Sequence, residues 1–150
     1  MGKRLESITP ELEAFINNQK IFFAATAMDT GRVNLSPKGM DTFRVINANR
    51  VMWLNLTGSG NETATHLQHN DRITIMFCAF EGKPMILRLY GTAKVYHERD
   101  SAWNENISRF PKMTGSRQII DVEVDLVQTS CGFAVPFMDY NSERTVLKEW

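Results

Sequence analysis

Residues 118–127 alternate with a period of two: Ile120, Val122, Val124 and Leu126 fall on one side, Asp121, Glu123 and Asp125 on the other. Successive side chains of a β-strand point to opposite faces, so this pattern predicts a strand with one buried and one wet face. Six further short apolar runs come before it, at 21–27, 33–36, 43–46, 51–56, 72–80 and 85–96. Turn-forming residues separate them. Asp29-Thr30-Gly31 and Glu81-Gly82-Lys83-Pro84 read as turns, Asn47-Ala48-Asn49-Arg50 as a hairpin connection, and Pro37-Lys38-Gly39 as the end of the strand at 33–36. Gly91 inside the longest run predicts a bulge or bend. A chain with about seven short strands tends to close its sheet, because closure removes exposed edges. Strands and helices do not alternate, which argues against a doubly wound parallel sheet.

Helical spacing is confined to four places. Thr9 caps a first helix, Pro10 fits its first turn, Glu11 and Glu13 suit its positive end, and Leu12, Phe15 and Ile16 share a face. Others are predicted at 62–69, from Asp100 through Trp103, Ile107 and Phe110 to the stop at Pro111, and at 142–150 with Val146, Leu147 and Trp150 as the apolar side. The expected class is mainly β with flanking helices, in one domain over residues 1–150.

Composition narrows the partners. The chain has 17 Lys plus Arg and 17 Asp plus Glu, so it lacks the basic excess expected of a nucleic-acid binder. Residues 1–19 are polar, with no apolar core like that of a signal peptide, and no apolar run approaches the roughly 20 residues of a membrane-spanning helix. A cytoplasmic protein without membrane contact is expected. Cys78 lies in an apolar run and reads as a buried free thiol, and the spacing of Cys78 and Cys131 matches no metal-binding pattern.

The stretch with most chemical content is Trp53-Leu54-Asn55-Leu56-Thr57-Gly58-Ser59-Gly60-Asn61-Glu62-Thr63. A strand enters a loop of small and hydroxylated residues, and a helix follows. Unpaired N–H groups, glycines that let a ligand approach the backbone, and nearby hydroxyls together make a phosphate cradle. The plainer alternative is a strand-to-helix turn with Asn61 as its N-cap. No Gly-Lys-Ser/Thr follows, so this is not a Walker loop, and Gly58-x-Gly60 lacks the third glycine of a dinucleotide fingerprint.

Lys38 stands on a tight segment after Ser36 and could serve a phosphate or an electron-rich ring, or simply be solvated. Arg44 and Arg88 sit in apolar strands and need an anionic or polar partner, with a ligand favoured for Arg88. His66 and His69 share a helix face but lack a third metal ligand nearby, so both read as surface histidines. No catalytic triad or general acid–base pair can be argued from spacing.

Val33-Asn34-Leu35-Ser36-Pro37-Lys38-Gly39, the stretch from Trp53 to Thr63, Arg72-Ile73-Thr74-Ile75-Met76-Phe77 and Arg88-Leu89-Tyr90-Gly91 occur in an order that resembles the pyridoxamine 5'-phosphate oxidase-like flavoproteins. The tail Ser130-Cys131-Gly132-Phe133-Ala134-Val135-Pro136 resembles their short flavin-nucleotide-binding branch. The resemblance implies a six- to seven-stranded antiparallel split β-barrel and a homodimer holding FMN at its interface. It implies that Ser36 and Lys38 run along the flavin ring and that Leu54 and Thr57 line the cofactor. Ser59, Asn61 and Thr63 would hold the phosphate, Arg88 would lie near the cofactor or the partner subunit, and residues 132–136 would pack near the site.

Glu62-Thr63 stand where the oxidase has an Arg-Lys pair, and the oxidase's C-terminal Arg-x-His element has no counterpart, so vitamin oxidation is not expected. The expectation is an FMN-dependent oxidoreductase acting on an unknown small molecule. The alternatives are a non-catalytic flavin, deazaflavin or haem binding or sensing protein, and a structural dimer.

Overall fold

The structure, a computed structural model, describes residues 2–149. In chain order its elements are β1 (Lys3–Leu5), α1 (Pro10–Asn18), β2 (Ile21–Thr26), β3 (Asn34–Gly39), β4 (Phe43–Asn47), β5 (Arg50–Leu56) and α2 (Glu62–Leu67). Then come β6 (Arg72–Cys78), β7 (Ile86–Tyr96), α3 (Ser101–Asn106) with a 3-10 turn at Ile107–Arg109, β8 (Ser116–Ser130) and α4 (Val146–Glu149). The strands form an antiparallel sheet in the order β3-β2-β6-β7-β8-β5-β4, with β1 paired to β8 off that path. The sheet curls into a half-barrel of the split-barrel kind.

Strand β8 is the spine. One edge pairs with β7 from Ile119 to Ser130; the other pairs first with β5 and then, at residues 127–129, with β1. Inside the curl lie Phe22, Trp53, Phe77, Leu87, Leu89, Ile120 and Val122, all almost fully buried. Phe22 meets Phe43, Trp53 and Phe77 at centroid distances of 4.8, 5.8 and 5.8 Å, mostly edge-on, the geometry aromatic quadrupoles favour. Helix α1 closes this core with Leu12 and Ile16, and the Thr9 hydroxyl accepts from Leu12 N at 3.4 Å as its cap. The outer face of β5 carries Met52 and Leu54, which pack with Ile119 under Trp103 and Phe110 of the α3 region. Strand β5 is therefore buried on both faces.

Several expectations are corrected. Pro37-Lys38-Gly39 does not end the return strand: β3 runs through all three residues, with Pro37 opposite Phe23. An edge strand bonds along one side only, so it tolerates a residue without an N–H. Strand β1 adds an eighth strand to the seven expected. It has three half-polar residues and exists because β8 is long enough to pair with it.

The bulge expected at Gly91 lies opposite it, in β8, where Tyr90 and Gly91 face Leu126 and Val124 and leave Asp125 extra. The extra residue inverts the alternation, so Val127 enters the core and Leu126 is only half-buried. The wet face of β8 is confined to its middle, because Ile119 is covered by the α3 region. The helix expected at 142–150 shortens to α4, with 142–145 exposed and non-helical; isolated turns of helix are marginal without packing. Trp150 lies outside the described residues.

Candidate functional site

The edge strand β3, the end of β5 and residues 57–63 enclose a groove of about 380 Å³. Ser36, Lys38, Leu54, Thr57, Ser59, Asn61 and Thr63 all line it, although they come from two separate stretches of the chain, 36–38 and 54–63. The hairpin pairing of β2 with β3 and the run of β5 into α2 bring them together. The groove shares Gly39, Met40, Thr57, Gly58 and Ser59 with a wider, open cavity of about 2130 Å³, whose far wall is the tail from Cys131 onward. Met40, on the shared wall, is held at a φ of 62°, a left-handed conformation costly for a bulky side chain.

The loop before α2 presents its backbone. Thr57 N–H meets Gly115 O at 2.7 Å and Thr65 N–H meets Asn61 O at 3.0 Å; the N–H groups of residues 58–64 between them donate to no group among the described residues. Asn61 occupies the N-cap position of α2 with its carbonyl accepting from Thr65, as the plainer alternative has it, but its side chain makes no capping hydrogen bond. Its Oδ1 accepts instead from Arg117 Nη1 at 3.4 Å, and the same nitrogen donates to Gly60 O at 3.1 Å.

Arg117 thus ties the loop from β8 and brings positive charge to it, where the sequence at Glu62-Thr63 suggested a deficit. Only the pairing of Leu56 with Ser116 places it there, so no local motif could have revealed it. Lys38 is half-buried, and that burial pulls its pKa down; Glu62 opposes the shift and Arg117 adds to it. The Glu62 carboxylate folds back against Gly60, over the same loop.

Behind the groove runs a polar chain. His66 Nδ1 and Thr26 Oγ1 are 3.0 Å apart. Asn34 Nδ2 donates to Thr26 Oγ1 at 3.4 Å and to Thr63 Oγ1 at 3.0 Å, and Ser36 Oγ donates to Asn34 Oδ1 at 3.1 Å. His66 is therefore half-buried and engaged, unlike the surface histidine expected, whereas His69 is exposed as expected. On the groove floor Asn55 Nδ2 donates to Gln118 Oε1 at 2.9 Å, which leaves the buried Asn55 Oδ1 without a partner.

Other expected residues are placed differently. Leu54 is 1 % exposed, and its side chain belongs to the outer core with Trp103 and Phe110. It can flank a ligand only from beneath. Arg88 stands outside the groove and donates to Ser130 Oγ at 3.1 Å, beside the wider cavity. Arg44 finds its anion in Asp41, at 2.6 and 3.0 Å. Cys78 is a buried free thiol whose pKa burial raises, and Cys131 is free and exposed. Among the described residues no three His, Cys, Asp or Glu side chains gather as metal ligands, and no helix is long and apolar enough to cross a membrane.

Comparison with known proteins gives the arrangement a context. The family model described as pyridoxamine 5'-phosphate oxidase matches residues 8–131, which include the whole groove apart from α4. The pyridoxamine 5'-phosphate oxidase family protein ustO of Aspergillus flavus is 37% identical over 139 residues, 89% of this chain and 56% of that protein. The chain thus spans little more than half the length of that relative. Solved structures share the fold, two of them as follows. The FAD binding protein from Mycobacterium smegmatis has a TM-score of 0.59 at 14% identity, covering 84% of this chain and 97% of that one. HutZ, the haem storage protein from Vibrio cholerae, has a TM-score of 0.60 at 19% identity, with the same coverage. With residues 8–131 matched by the family model, the chain belongs to the pyridoxamine 5'-phosphate oxidase family.

Proposed function

We propose that this chain binds FMN along the groove and the adjoining cavity, and that it acts as a flavin-dependent oxidoreductase on a small molecule. The observation that carries this reading is the loop at 58–61: its backbone N–H groups are unpaired, and it lies between Lys38 and Arg117 on a family barrel. The groove's volume lies within the range of ligand pockets, and the wider cavity gives room for a ring system. The orphaned Asn55 Oδ1 on its floor also suits a polar ligand.

Ser59, Asn61 and Thr63 would surround the phosphate, while Ser36 and Lys38 would flank the rest of the cofactor. A bound flavin supplies electron transfer; the protein orients it and sets its polar surroundings. Two copies of the chain would share the cofactor between them.

A non-catalytic flavin carrier is favoured by one observation. Lys38 and Glu62 are the only titratable side chains lining the groove among the described residues, so few groups there can move a proton for a reaction. The deciding experiment is a titration of the purified protein with FMN, riboflavin, a deazaflavin and haem, followed by anaerobic reduction with a nicotinamide. Saturable FMN binding with turnover supports the oxidoreductase, and FMN binding without turnover supports the carrier. A protein that ignores all flavins and shows a Soret band with haem refutes both.

A further inference from the structure

We infer that Asn34, held by Thr26 and His66, fixes the hydrogen-bond polarity of the groove, making Thr63 a donor and Ser36 an acceptor toward the ligand. The inference rests on the flavin reading for its ligand, but the relay itself is a property of the chain.

A carboxamide has two N–H donors and one accepting oxygen. Asn34 Nδ2 spends its hydrogens on Thr26 Oγ1 and Thr63 Oγ1, and Asn34 Oδ1 takes the Ser36 hydrogen. Thr63 Oγ1 then already accepts, and its own hydrogen finds no acceptor among the described residues. Thr63 lines the groove, so that hydrogen is free to turn toward a ligand there. Ser36 has given its hydrogen inward and offers only lone pairs to the groove.

What stops the Asn34 carboxamide from turning over is Thr26. Thr26 is 3% exposed; its hydroxyl accepts from Asn34 and lies 3.0 Å from His66 Nδ1, which takes the Thr26 hydrogen when that nitrogen is bare. A His66 ring with a bare Nδ1 and a protonated Nε2 therefore locks the chain of donors in one direction. The reversed chain would need Nδ1–H.

The groove so polarised takes a ligand with an anionic or carbonyl oxygen at Thr63 and an N–H or hydroxyl at Ser36. A flavin nucleotide carries both kinds of group. Asn34 does not touch the reacting atoms and is a positioning residue.

Two measurements test this. The first needs no ligand: long-range nitrogen–proton NMR of the imidazole rings at alkaline pH. A neutral His66 protonated on Nε2 is expected; a ring protonated on Nδ1 overturns the relay. The second is a double-mutant cycle read by FMN fluorescence. Thr63→Val is expected to weaken FMN roughly tenfold in the parent chain, the scale of one hydrogen bond to a charged group. In an Asn34→Asp background, whose carboxylate can only accept, the Thr63 hydrogen turns inward, and Thr63→Val should cost nothing further. An undiminished tenfold loss there overturns the proposal, because any charge repulsion from Asp cancels in the cycle. A parent chain that binds neither FMN nor riboflavin, yet shows the expected tautomer, sinks the flavin reading and leaves the relay standing.

Discussion

Lys38 costs stability in the free protein. Burial lowers its pKa below the unfolded value of 10.5, so the folded state disfavours the ammonium. The cost is full wherever the lysine is charged in both states, and it fades as pH rises from the folded pKa toward the unfolded one. Lys38→Met is therefore expected to raise Tm at pH 7 by roughly 1–3 °C, with the gain shrinking as pH climbs toward 10.5, while FMN binding weakens about tenfold. Calorimetry across pH and a fluorescence titration check both signs; a Tm that falls at pH 7 contradicts the assignment. Arg117 differs because it is already spent on Gly60 O and Asn61 Oδ1. Arg117→Ala should lower the ratio of FMN to riboflavin affinity about fivefold while moving Tm by less than about 2 °C, since exposed polar contacts contribute little. An unchanged ratio would show that the loop holds itself. Ser36, Lys38 and the loop were legible because small, hydroxylated and charged residues in that order carry their own chemistry. Arg117 and Asn34 were not, because each acts through a partner set by strand register.

The strands were legible because 118–127 alternates between core and solvent and six more runs are short, apolar and bounded by turn residues. Legibility failed where an element depends on its neighbours. Strand β1 exists only as a partner for the end of β8, and β3 passes through Pro37 only because it is an edge. The bulge at Asp125 cannot be read from β8 at all. It answers Gly91 on β7, where an added Cβ would run into the carbonyl of Glu123. Gly91→Ala is expected to destabilise the fold by about 2–4 kcal/mol, an overpacking against main chain, and to lower Tm by roughly 10 °C. Thermal unfolding by circular dichroism measures it; a variant within about 2 °C of the parent would mean that β8 yields at the bulge.

What the chain leaves uncovered bears on its state of assembly. Phe133, Phe137 and Val146 are 84, 80 and 70% exposed, and Phe133, Met138, Tyr140 and Val146 line the wider cavity beside the groove. Val33 and Leu35 add 71 and 63% exposed side chains near and on the free edge β3. Soluble monomers seldom leave so much apolar surface around one cavity, and unpaired strand edges invite partners. A second copy of the chain covering the tail and the cavity would bury this surface and complete the cofactor site. Sedimentation at micromolar concentration should then give twice the chain mass of 17.2 kDa. Phe133→Ser with Phe137→Ser should shift the protein toward monomer and weaken FMN in parallel, because half of the site would leave with the partner. The parallel is the informative part. If the doubly substituted chain is monomeric and still binds FMN as the parent does, the site is complete within one subunit, and the open wall of the wider cavity faces something other than a second copy.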